Sequence, residues 1–203
     1  MALATYNQLQ DSIKRWLWGR DDLSGDIPDF IAMFEADANS ELRVREMEAS
    51  ATITLTDGAG SLPTDYLAFR RVYANSSPVT ALENVDPDWA ILHYPETAAT
   101  NPKYFYIAGS SIYTKPVCSS TLAMLYYQKI PALASNTTGN WLLTRAPNLY
   151  LYGSLMHAAP MLYDDPRAVT WKTLRDEGFA TLKHSDATAR FGRVAARVRG
   201  STP

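Results

Sequence analysis

The side chains in this 203-residue chain best suited to chemistry are three histidines, one cysteine and two adjacent pairs of aspartates. His93, His157 and His184 fall on separate segments, and none sits in an H-E-x-x-H pattern or beside other ligands at metal spacing. General acid–base work needs two titratable groups held in different environments across a cleft. Asp21-Asp22 and Asp164-Asp165 are instead neighbours along the chain, and Asp165 stands at an expected helix start, where capping and dipole stabilisation account for it. Cys118 is alone, which excludes an intrachain disulfide and a cysteine-based zinc cluster and fits a reducing compartment. Gly109-Ser110 and Gly153-Ser154 lack the second glycine of a nucleophile elbow, and there is no phosphate-cradling loop or dinucleotide fingerprint. The expectation is a protein that is not an enzyme and that uses no cofactor and no metal.

Charge offers a different chemistry. The net charge is −2, yet residues 183–203 carry +4 and the preceding residues −6. Arg190, Arg193 and Arg197 recur at i, i+3 and i+7, as do Phe191, Val194 and Val198, with Arg199 beside them. If helical, this segment sets a basic stripe next to an apolar one. Gly192 and the Gly200-Ser201-Thr202-Pro203 end argue against a helix that stands alone. Residues 190–203 therefore read either as a frayed, solvated terminus or as a basic arm, disordered when free, that folds on docking. Tyr104, Phe105, Tyr106, Tyr126 and Tyr127 are not interleaved with basic clusters, so they suit strand-face packing or a protein interface better than stacking on bases.

These groups must be carried by a fold, and the hydrophobic pattern outlines it. Thr5 can cap a first helix over 5–18, with Tyr6, Leu9, Ile13, Trp16 and Leu17 as its buried stripe. Asp26 can cap a second over 27–46, with Pro28 in its first turn, a stripe of Ile27, Phe30, Ile31, Phe34, Ala38 and Leu42, and Glu35 outside or at the edge. Residues 50–130 then read as a β-rich block of five or six short strands. It contains an Asp57-Gly58-Ala59-Gly60 turn, a strand over 78–82, a short helical turn from Asp86-Pro87, and a hairpin about 108–111. Helix returns over 147–163 and 166–188; Gly178 inside the last one implies close approach of a neighbouring helix. The expected class is α+β. The N- and C-terminal helix pairs form a helical bundle, the β-rich lobe is inserted at about 50–130, and a C-terminal extension follows. A single domain spans 1–189 (helices 5–46 and 147–189) and the arm 190–203. No apolar run is long enough to span a membrane, and the N-terminus lacks signal-peptide texture, so a soluble protein made inside the cell is expected. Asn75-Ser76-Ser77 and Asn136-Thr137-Thr138 are expected polar loops.

Arg20-Asp21-Asp22-Leu23, Ile27-Pro28-Asp29-Phe30-Ile31 and the run from Leu42 to Ala49 resemble the head-to-tail adaptors of tailed bacteriophages, most closely the podophage type called tail tubular protein A. Leu62-Pro63-Thr64-Asp65-Tyr66-Leu67, Pro102-Lys103-Tyr104-Phe105, Trp141-Leu142-Leu143-Thr144 and Pro147 to Tyr152 extend the likeness over roughly residues 1–185. The resemblance implies a structural virion protein that forms a ring, typically of twelve copies, under the portal. Such a ring joins the DNA-filled head to the tail and extends the DNA channel. It implies portal protein and a tail or nozzle protein as partners, genomic DNA passing without sequence-specific binding, no membrane, and a place at the neck of a virion assembled in the bacterial cytoplasm. On that reading the arm is the portal-binding element: Arg190, Arg193, Arg197 and Arg199 meet an acidic surface while Phe191, Val194 and Val198 fill an apolar groove. The alternative is a DNA-binding accessory protein acting through the same basic tail.

Overall fold

The computed structural model describes residues 3–94, 101–134, 138–162 and 166–191, the side chain of Phe191 excepted. The chain forms two compact units, Met1–Glu46 with Ile130–Pro203, and Met47–Lys129. The class is α+β, as the texture of the sequence implies.

The first unit is helical. Helix α1 (Tyr6–Trp16) starts where the Thr5 hydroxyl accepts the Gln8 N–H, as expected, and buries Tyr6, Leu9 and Ile13, with Leu17 following. Trp16 departs from the expected stripe: it stands 43% exposed, its ring edge-on to Tyr152 at 5.8 Å. Helix α2 (Ile27–Glu41) is shorter than the expected 27–46, because Leu42 turns to extended backbone and a single 3-10 turn, Arg45–Met47, follows. Asp26 occupies the N-cap position, but its backbone is helical and its side chain caps nothing. Glu35 is the larger correction: placed at the edge of the stripe by spacing, it is buried. Helix α3 belongs to the second unit. In the first, a short α4 (Trp141–Arg145), absent from the expected elements, is nucleated by Asn140, whose Oδ1 accepts the Leu143 N–H at 2.8 Å.

Helix α5 (Pro147–Ala158) runs on into a 3-10 turn at Ala159–Leu162, and α6 spans Arg167–Phe191. Tyr150, Leu151, Ser154 and Ala158 are buried along with Leu149 and Leu155, so α5 is enclosed rather than striped. It packs against α1, α2, α4 and α6. At Gly153 a methyl group would overlap the Phe34 ring of α2, and at Gly178 it would lie 3.0 Å from Leu149 Cδ1. Close helix approach thus explains Gly178, as its place in the sequence implied. Phe179, which the expected α6 face omitted, is buried beside Trp171 and Leu182 and stacks at 6.1 Å on Phe34.

The second unit holds eight strands among its described residues, more than the five or six expected. One antiparallel sheet has the order β1 (Glu48–Thr54), β8 (Thr121–Gln128), β3 (Tyr66–Ala74), β4 (Thr80–Ala81). The other runs β2 (Ala59–Ser61), β7 (Ser111–Lys115), β6 (Tyr104–Ala108), β5 (Glu83–Asn84), with β5 parallel to β6. The sheets are linked by the Asp57-Gly58 turn. Both central residues have positive φ (50° and 75°), and Thr56 and Ala59 exchange backbone bonds of 2.8 and 3.0 Å, the geometry Asp-Gly favours. The single strand expected over 78–82 is instead two strand fragments on different sheets, divided at the buried Leu82. Ile53, Val72, Leu122 and Met124 of one sheet meet Phe105 and Ile112 of the other in one core. Helix α3 (Pro87–His93) is capped by Asp86, whose Oδ1 accepts the Asp88 and Trp89 N–H groups at 2.9 and 3.4 Å. The Asp164-Asp165 pair and Asn136 lie outside the described residues.

Candidate interaction surface

Two of the three histidines are tied to neighbouring groups. His93 Nδ1 is 2.9 Å from the Trp89 carbonyl and its ring stacks on the Trp89 indole. His157 Nε2 is 3.0 Å from Asp37 Oδ2, which also accepts Arg175 Nη1 at 3.2 Å. His184 is exposed on α6. Asp21 pairs with Lys14, and Asp22 with Arg20, whose hydrogen bond lowers the Asp22 carboxyl below its ordinary range. Cys118 is buried, with Ser120 Oγ at 3.3 Å. No cluster of three metal-ligating side chains exists among the described residues, and no helix there is long and apolar enough to cross a membrane.

One buried polar network does stand out, and spacing missed it. Glu35 Oε1 accepts the Leu133 N–H at 3.0 Å and the Tyr150 O–H at 2.9 Å. Asn140 Nδ2 in turn donates to the Tyr150 hydroxyl at 2.6 Å and to the Pro131 carbonyl at 2.7 Å. Ile130 N–H donates to Asn39 Oδ1 at 2.8 Å, so α2 and Asn140 together hold residues 130–133. Burial pushes the Glu35 carboxyl above its ordinary value, partly offset by the two bonds it accepts. Burial, then the charge of Glu35, pushes the Tyr150 phenol far up. The network thus ties α2 and α5 to the chain at 130–133.

The expected arm residues divide. Arg190 belongs to the last turn of α6, where its Nε donates to Asp186 Oδ2 at 2.8 Å, and α6 reaches Phe191, past the expected boundary at 189. Asp186 is buried and its other oxygen accepts the Arg45 N–H at 3.0 Å. Arg190 is thus an anchor of the helical unit. Arg193, Val194, Arg197, Val198 and Arg199 lie outside the described residues, as does the side chain of Phe191.

What the surface offers is apolar. In the first unit Trp18 is 71%, Val169 72% and Met161 44% exposed. The guanidinium of Arg167 lies over the Trp18 ring at 3.9 Å. An open groove of about 660 Å³ runs between the end of α5 and the start of α6, lined by Met156, Ala159, Pro160, Ala168, Val169 and Lys172. In the second unit α3 buries only Ala90 and leaves Ile91 and Leu92 exposed, Leu92 at 78%. The signal in the sequence was the Ile91-Leu92 pair itself, since a helix of seven residues cannot bury two adjacent faces on one sheet edge. It is contiguous apolar patches, rather than single exposed side chains, that mark surfaces meeting other proteins.

A search among curated proteins finds no match. The family model for SU10 adaptor protein, however, matches residues 4–199, nearly the whole chain. Helical unit, β-rich unit and the start of the basic tail all fall inside that match, and the protein belongs to the SU10 adaptor protein family, an assignment that supports a structural phage head-to-tail adaptor.

Proposed function

We propose that this adaptor is a non-catalytic ring subunit at the neck of the virion, of the podophage tail-tubular kind. Copies assemble under the portal into a dodecameric ring that extends the DNA channel and presents a platform to the tail or nozzle protein. The observation that carries the reading is the family match over residues 4–199. It is supported by exposed apolar side chains on both units, Val169 on one and Leu92 on the other, which suit a subunit that is completed by its neighbours. The arm beyond Phe191 retains Arg193, Arg197 and Arg199 as charges for an acidic portal surface. A DNA-binding accessory role would rest on the same three arginines, because Arg190 is matched by Asp186. Light scattering with and without portal protein tests the proposal, with a portal-dependent rise in mass as the expected result. Salt-sensitive retention of the lone protein on DNA, with no gain on portal, would favour the accessory role instead.

A further inference from the structure

The two most exposed large apolar side chains among the described residues are Leu92 at 78% and Val169 at 72%. They stand on surfaces of opposite character. Leu92 and Ile91 project from α3, a short ridge headed by the exposed carboxylates of Asp86 and Asp88. Val169 borders a groove of about 660 Å³ whose one charged lining residue among the described residues, Lys172, makes no ion pair with any of them. A ridge with acids at its head complements a groove with a cation on its wall. Burying an exposed Ile or Leu is the kind of contact that anchors an interface.

We propose that α3 of one copy docks in the α5–α6 groove of the next, with Ile91 and Leu92 seated against Met156, Ala159 and Val169, and Asp86 or Asp88 facing Lys172. The inference rests on the ring reading and gives that ring its subunit contact. Because ridge and groove are different surfaces of the same chain, the contact is head-to-tail. Such a contact closes into a ring when the rotation per step allows it. Helix-in-groove recognition of this kind is anchored by a few apolar side chains, with charge setting the register.

Cysteines at the two anchors test it, because Cys118 is buried and both positions are exposed. The Leu92→Cys/Val169→Cys protein, assembled with portal and mildly oxidised, should give a ladder of disulfide-linked species from dimer upward. Leu92→Cys alone and Val169→Cys alone should stay monomeric on the same gel. Leu92→Asp should weaken assembly about tenfold or more without lowering the melting temperature, and Lys172→Glu should weaken it less. Full assembly by light scattering without a ladder would place the subunit contact elsewhere and overturn this inference while leaving the ring intact. A dimer from either single variant, or a disulfide closed within one chain, would overturn it equally. No assembly on portal by any variant or by the unmodified protein would remove the ring and this contact together.

Discussion

Asp186 Oδ2 accepts Arg190 Nε at 2.8 Å, one helical turn further along α6. The same buried carboxylate takes the Arg45 N–H on its other oxygen, where the chain leaves the helical unit after α2. One side chain thus ties the end of the long C-terminal helix to the outgoing connection. Removing it takes away the acceptor of both the Arg45 N–H and Arg190 Nε. Asp186→Ala should lower unfolding stability by about 2–4 kcal/mol. Urea unfolding measures it, with the midpoint falling and the slope unchanged. A loss below about 0.5 kcal/mol would mean that water replaces the carboxylate.

Glu35 gives stability a pH dependence whose sign follows from its burial. Its folded carboxyl is raised above the ordinary 4.5, so the protonated form favours folding. That contribution is fully present below pH 4.5 and is lost as pH rises through the folded value. Glu35→Gln keeps an oxygen for Leu133 N–H and Tyr150 O–H and does not titrate. Relative to this variant, the native protein should therefore be most stable near pH 4 and lose ground toward pH 7. Parallel urea titrations across that range measure the gap, and a gap independent of pH would contradict the burial argument.

Two glycines should respond differently to the same change. A methyl at Gly153 overlaps the Phe34 ring, whereas at Gly178 it meets only the tip of Leu149 at 3.0 Å. Gly153→Ala should cost about 1–3 kcal/mol or more by forcing α2 and α5 apart. Gly178→Ala gains about 1 kcal/mol of helix propensity against a side chain that can shift, and should come out near zero. Thermal unfolding of the two variants side by side is the check.

What was legible in the sequence was local. Thr5 and Asp86 announce their helices because a cap acts over three residues, and Asp57-Gly58 announces its turn because positive φ is a property of those two residues. Glu35 was misplaced because its partners, Leu133 and Tyr150, are 98 and 115 positions away, and stripe spacing carries no knowledge of them. Asp186 lies in the 183–203 segment whose net charge is +4, and its meaning is hidden there for the same reason: it depends on Arg45, 141 positions earlier. Helix α4 escaped because five residues show too little periodicity; it is held by the Asn140 cap and by α5. The groove beside Val169 was illegible too, since it exists only once α5 and α6 are packed.

The arm can be separated from the helix that carries it. Deleting residues 192–203 leaves the Asp186–Arg190 pair in place, so folding should be intact by circular dichroism while attachment to portal weakens. Arg193→Glu with Arg197→Glu should do much the same, most visibly at low salt, where exposed charges are least screened. Equal attachment by the truncated and full chains would show that the arm takes no part in docking.

If the proposed ring forms only at the head–tail junction, electron micrographs of purified portal mixed with purified adaptor reveal it most directly. End-on views should show portal particles carrying a second closed ring around an open channel, with side views lengthened on one face only. Portal particles that remain bare at micromolar adaptor in low salt would contradict the account.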